Sequence, residues 1–273
     1  MPVRRPVRRS APPSLSLLGY KAQKFDGARV MIPPLCHVPA GAFLMGSDEA
    51  RDRHARPDEL PQHEISLPEF RIARYPVTVT EYRCAIQAGV APKPYNWPYQ
   101  LSHPDYPVVN VAWQDAMEYA AWLASCTGEP WRLPSEAEWE KAARGTDGRI
   151  YPWGDEWDST RAKVWGNGEE WGVRAVGRHP GGAGPYGVED MAGNVWEWCS
   201  SLRYPYPYDP TDGREDATVA ADMPDYASDQ RHARVMRGGS WEDGERFVRA
   251  ATHGFHVPPS NADGYIGFRL ICG

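Results

Sequence analysis

The chain alternates short apolar runs with turn residues from Val38 onward. Pro39 to Gly46 predicts a strand entered by a tight turn, and Gln62 to Leu67 a second, with Ile65 and Leu67 alternating with polar neighbours. The charged stretch Ser47 to Leu60 separates them as a loop. Helical spacing follows. Thr80 opens a short helix through Gln87 that Gly89 ends, and Trp113, Ala116, Met117, Ala120 and Leu123 share one face of a second helix ended by Gly128. Ser135-Glu-Ala-Glu138 forms a capping box after Pro134, so residues 136–144 should make a third helix, stopped at Gly145. No helical period follows. The second half reads as loops, with strands at Val235 to Trp241 and Ile266 to Ile271.

Composition sharpens this pattern. The 273 residues include 26 Gly and 27 Pro, together with 12 Trp, 14 Tyr and 6 Phe. Long helices cannot dominate such a chain; short strands and structured loops sealed by rings can. The formal net charge of −6 argues against nucleic-acid partners, and no apolar run reaches the ~20 residues of a membrane span. Five widely spaced cysteines (Cys36, Cys84, Cys126, Cys199, Cys272) contain no CxxC pair and read as scattered thiols. Residues 1–35 read as an Arg/Pro-rich arm, flexible at its start, carrying Arg4, Arg5, Arg8 and Arg9 and no evident signal peptide. A cytoplasmic location is the expectation.

A series of motifs then occurs in a recognisable order: Pro39-Ala-Gly-Ala-Phe-Leu-Met-Gly46, Tyr75-Pro-Val-Thr78, Pro107-Val-Val-Asn110, Arg132-Leu-Pro-Ser-Glu-Ala-Glu-Trp-Glu140, Tyr151-Pro-Trp-Gly154, Gly193-Asn-Val-Trp-Glu-Trp198, Arg237-Gly-Gly-Ser-Trp241 and Gly267-Phe-Arg269. In this it resembles the formylglycine-generating enzymes, or sulfatase-modifying factors. The resemblance covers residues 36–273 and implies one α+β domain of the C-type-lectin-like kind, with little regular secondary structure and about three short helices. It also implies that Trp113, Trp139, Trp153, Trp196, Trp198 and Trp241 are core pillars. Arg237 and Arg269, among small and apolar neighbours, should make structural ion pairs or carbonyl hydrogen bonds.

The family's chemistry does not come across intact. Its catalytic members hold copper(I) on two cysteines soon after the Gly-Gly-Ser turn, whereas here no cysteine lies between Cys199 and Cys272. Copper is therefore not expected. The iron-dependent sulfoxide synthases of the same superfamily use three histidines. Here His253 and His256 with a carboxylate such as Asp263 are the nearest analogue, and no two histidines stand at i, i+4. The resemblance also implies one structural calcium, held by Asp190, Gly193, Val195 and Glu197, an all-oxygen set suited to a hard cation. A second family calcium site begins with Asn where this chain has Lys163, so that site should be empty.

Residues 242–265 lie between two of the matching motifs, at the family's surface cleft. The same scaffold resembles the variable proteins of diversity-generating retroelements, whose adenine-directed mutagenesis of AAY codons yields residues of the NNY set. Every residue from Thr252 to Tyr265 belongs to that set, while Glu242 and Glu245 do not. The candidate ligand-binding residues are Asp243, Gly244, Phe247, Thr252, His253, Phe255, His256, Ser260, Asn261 and Tyr265, a paratope-like mixture of rings and small polar groups. The expectation is a non-catalytic ligand-binding protein with a diversified surface and an unknown protein or other macromolecular ligand. The alternatives are a sulfatase-modifying-factor relative of unknown chemistry and a metal-dependent oxidase with an unrecognised site.

Overall fold

A computed structural model describes residues 15–25, 27–218, 233–254 and 258–273. It begins with a hairpin, β1 (Lys21–Phe25) paired antiparallel with β2 (Ala28–Ile32). This hairpin lies inside the stretch expected to be an arm. Tyr20, Val30 and Met31 are nevertheless buried in the main core, so the folded domain begins before residue 36.

Strands β3 (Leu35–Val38), β6 (Phe70–Ala73), β7 (Trp131–Arg132) and β11 (Ile271–Cys272) form an antiparallel sheet in the order β3-β6-β11-β7. Between β3 and β6, β4 (Gly41–Met45) and β5 (His63–Leu67) make a separate hairpin, close to the two strands predicted there. A further sheet places β8 (Trp196–Leu202) between β9 (Arg234–Arg237) and β10 (Ile266–Phe268). Only β10 runs parallel to β8, with Gly267 opposite Glu197.

The helices obey their caps. In α1 (Val79–Gln87) the cap is Thr78, two residues before the expected Thr80: its hydroxyl accepts from Glu81 N–H, and the Glu81 carboxylate accepts from Thr78 N–H at 2.6 Å. A five-residue helix, α2 (Trp97–Leu101), starts from left-handed Asn96 and left no periodic signature. The amphipathic α3 (Trp113–Thr127) ends at left-handed Gly128, and α4 (Glu136–Arg144) spans the residues its capping box predicts. Among the described residues no α-helix follows Gly145. Trp139, Trp196 and Trp198 are among the largest fully buried side chains, and Trp113 and Trp241 are buried as well. No helix among the described residues is long and apolar enough to cross a membrane.

Candidate ligand-binding face

The segment after β9 divides into three parts. It turns first at Gly238 and Gly239, both at positive φ. A Cβ on Gly239 would meet the Phe247 carbonyl oxygen at 2.9 Å, so the turn closes only around glycine. Ser240 then donates through its backbone N–H (2.9 Å) and its hydroxyl (2.7 Å) to Asp243 Oδ2, which also accepts from the Trp196 indole at 2.9 Å. Asp243 thus shapes the turn. Glu242 and Arg246 are exposed around it; Gly244 and Phe247 are half-buried.

The middle part corrects the expectation of a single exposed loop. Val248 to Gly254 run through the interior, with Val248, Arg249, Ala250 and Thr252 completely covered and His253 only 2% exposed. Thr252 and His253 therefore cannot meet a ligand at the surface as expected. Phe255 and His256 lie outside the described residues. The chain resurfaces at 258–265, where Ser260 is exposed and Asn261 and Tyr265 are half-buried.

Backbone contacts join the outer parts into one face. Trp113 N–H donates to Pro259 O at 2.9 Å, Asn110 N–H to Asp263 O at 3.0 Å, and Trp196 N–H to Tyr265 O at 2.8 Å. The loop at 165–173 completes the face, since Trp165 N–H donates to Asp243 O at 2.8 Å. Trp165 and Trp171 stand 58% and 65% exposed. Their rings meet edge to face at 4.7 Å, and Trp171 meets buried Trp241 at the same spacing. Beside them Gly172, Val173 and Gly264 line a cleft of about 160 Å³ together with Tyr99, His103 and Tyr106. No sequence motif assigns Trp165 or Trp171 to ligand contact. Their Gly-rich setting, Trp165-Gly-Asn-Gly-Glu-Glu-Trp171-Gly172, offers few local apolar partners to bury them, and that was the available signal.

His253 belongs instead to an internal polar cluster. Its Nε2 lies 2.9 Å from Glu136 Oε1 and 3.0 Å from the Tyr206 hydroxyl, and Arg237 donates to the same Glu136 oxygen at 2.6 Å. Burial opposes Glu136 ionisation but is outweighed by His253 and Arg237, which hold its carboxyl below the usual range. Burial, aided by Arg237 and Arg203, pushes the His253 imidazole down against the pull of Glu136. Both groups thus bind protons more weakly folded than unfolded. Stability should be lost as pH falls below the unfolded histidine value of ~6.5, and further below the unfolded glutamate value of ~4.3. Melting curves between pH 7 and pH 4 should show a larger loss for the wild type than for His253→Gln. Parallel losses would show that the pair does not drive the acid response.

Three of the expected calcium ligands lie in the loop before β8 and Glu197 at the start of that strand, but Glu197 has a different partner. Arg269 spans both its oxygens, Nε to Oε2 at 2.6 Å and Nη2 to Oε1 at 2.7 Å, and Trp139 donates to Oε2 at 2.8 Å. The guanidinium also donates to the Glu189 and Asp190 carbonyls at 3.0 and 3.3 Å. Asp190 accepts from Gly177 N–H at 2.8 Å, and burial pushes its carboxyl up to about 6. Glu197 therefore does not fit as a free ligand, leaving Asp190 with the Gly193 and Val195 carbonyls. At the other family position, Lys163 is buried, and its carbonyl accepts from Asn194 N–H at 2.8 Å. Among the described residues no three His, Cys, Asp or Glu side chains gather as a metal site. All five cysteines are free, and burial pushes the thiols of Cys36, Cys84, Cys199 and Cys272 up, away from the reactive thiolate.

Comparison with known proteins places this architecture. Hercynine oxygenase of Mycolicibacterium smegmatis is 31% identical over 81% of this chain, which spans 57% of that protein. The inactive Cα-formylglycine-generating enzyme 2 of Mus musculus is 29% identical, with 94% of this chain and 92% of that protein aligned. Treponema denticola variable protein 1 superposes with a TM-score of 0.67 at 21% identity, covering 93% of this chain and 98% of that one, a likeness of fold. Residues 21–272 match the sulfatase-modifying factor enzyme 1-like domain, and the chain belongs to that family.

Proposed function

We propose that this protein is a non-catalytic ligand-binding member of its family, presenting the face formed by residues 165–173, 241–247 and 258–265 to a macromolecular ligand. The observation that carries this reading is the pair of open indoles, Trp165 and Trp171, held on a fixed framework beside a cleft. Aromatic side chains left in water on a rigid support mark contact surfaces. A family member bearing the name of an inactive enzyme fits a scaffold that outlives its chemistry. In the retroelement reading, diversification would be confined to the surface parts, because Val248 to Gly254 are interior. Free thiols suit the reducing cytoplasm expected from the sequence.

The oxidase reading loses support because His253 is committed to Glu136. Incubation with copper(I), oxygen and a Cys-x-Pro-x-Arg peptide should yield no aldehyde, for want of the thiolate pair after the Gly-Gly-Ser turn. Turnover above background would overturn the non-catalytic reading. Selection from a displayed random-peptide library should enrich binders that Trp165→Ala/Trp171→Ala no longer retains; binders indifferent to that change would place the ligand site elsewhere.

Calcium at Asp190, Gly193 and Val195 is a separate part of the proposal. A cation bound only to the folded loop adds about 2.7 kcal/mol at a hundredfold excess over its Kd. Chelator should then lower the melting temperature of the wild type and spare Asp190→Ala. Equal responses would remove calcium from this loop.

A further inference from the structure

The aromatic face carries an uncompensated charge that names its occupant. Glu242, Asp243 and Asp263 surround Tyr265, whose hydroxyl donates to Asp263 Oδ2 at 3.0 Å. Asn261 donates to the same oxygen at 2.8 Å. Burial raises the proton affinity of Glu242, and the charges of Asp243 and Asp263 raise it further. Among the described residues none of the three carboxylates has a cationic partner. Arg174 pairs with Glu170 at 3.4 Å, and exposed Arg246, 5.5 Å from the Phe247 ring centroid, makes no ion pair with any of the three.

We propose that the Trp165–Trp171–Trp241 face, bordered by Glu242, Asp243 and Asp263, docks a basic peptide segment of a partner protein through its arginine or lysine side chains. This rests on the ligand-binding reading of the same face and specifies its partner class. Three observations select a peptide cation over a metal ion. Asp243 Oδ2 is taken by Ser240 and Trp196, and Asp263 Oδ2 by Asn261 and Tyr265, so one oxygen of each aspartate is already committed within the fold. Open indole faces suit a weakly hydrated guanidinium, which stacks on a ring while a nearby carboxylate balances it. The cleft lined by Val173 and Tyr106 includes Gly172, next to Trp171 in the chain, and offers an extended chain a second anchoring point. An acidic segment would be repelled, and a neutral one would gain only the rings.

The test uses the full chain and three defined peptides, acetyl-(Gly-Arg)3-amide and its Gln and Glu counterparts, titrated by tryptophan fluorescence and calorimetry at about 50 mM and 300 mM salt. The arginine peptide should bind, the glutamate peptide should not, and added salt should weaken binding. Trp165→Ala/Trp171→Ala should weaken the arginine peptide roughly tenfold, as should Glu242→Gln/Asp263→Asn, with melting temperature held as the control for folding. Gln and Arg peptides binding equally, and lost only with the tryptophans, would overturn the cationic assignment while leaving a ligand face. Failure of the arginine peptide to bind would likewise overturn it. If the library selection also returned no tryptophan-dependent binder, the ligand-face reading itself would fall.

Discussion

Arg249→Met is expected to destabilise the protein by about 3–5 kcal/mol, although Arg249 lies inside the segment whose sequence reads as variable. Its guanidinium donates to Asp52 Oδ2 at 2.6 Å and to both Glu59 oxygens at 2.7 Å. Arg249 and Glu59 are completely buried, and Asp52 is 6% exposed. Burial alone would push the Glu59 carboxyl up, but its bond to Arg249 and the arginine's charge outweigh that and hold it below the usual carboxylate range. Methionine fills much of the volume and leaves two buried carboxylates without their counter-charge. At roughly 2–4 °C per kcal/mol for chains approaching this size, the melting temperature should fall by about 6–20 °C. Ser260→Ala, on the exposed part of the same segment, should stay within about ±0.5 kcal/mol. Arg249→Met melting with the wild type would show that this network does not hold the loop at residues 47–60 to the core.

The contrast shows which features a linear pattern carries. Helices α3 and α4 were legible because their signals are local: an apolar face at helical spacing, and a capping box at Ser135 and Glu138. Hairpin β1–β2 is not legible because it follows directly on the Arg/Pro-rich stretch, and its buried Val30 and Met31 gain their partners from distant elements. Strand β8 was read as loop because Gly193 and Asn194 announce a turn immediately before it.

The interior course of Val248 to Gly254 was illegible for a stronger reason. Arginine and histidine are seldom fully buried without a partner, and Arg249 and His253 are buried because Glu59 and Glu136 meet them, respectively 190 and 117 positions away along the chain. Composition could test whether those residues were permitted in a diversified loop but not which way they faced. Arg237 and Arg269, by contrast, were placed correctly as structural pairs, since small or apolar neighbours leave a buried guanidinium few other roles.

Arg269→Met should cost a similar 3–5 kcal/mol, and here a second substitution separates loss of a pair from loss of packing. Glu197 on β8 and Arg269, which directly follows the parallel strand β10, are both fully buried and joined by two hydrogen bonds. Removing the guanidinium strands a carboxylate in the core; the Trp139 indole remains its donor, but no opposite charge in direct contact does. A buried pair is costly to break by halves yet contributes little against a neutral replacement. Arg269→Met/Glu197→Gln should therefore recover much of the loss, because the amide still accepts from Trp139 and no net charge is left unpaired. Denaturant unfolding of the wild type, both single variants and the double variant gives the coupling directly. If the double variant loses the sum of the singles, the two residues act independently, and the guanidinium is needed for its bonds to the Glu189 and Asp190 carbonyls rather than for the charge of Glu197.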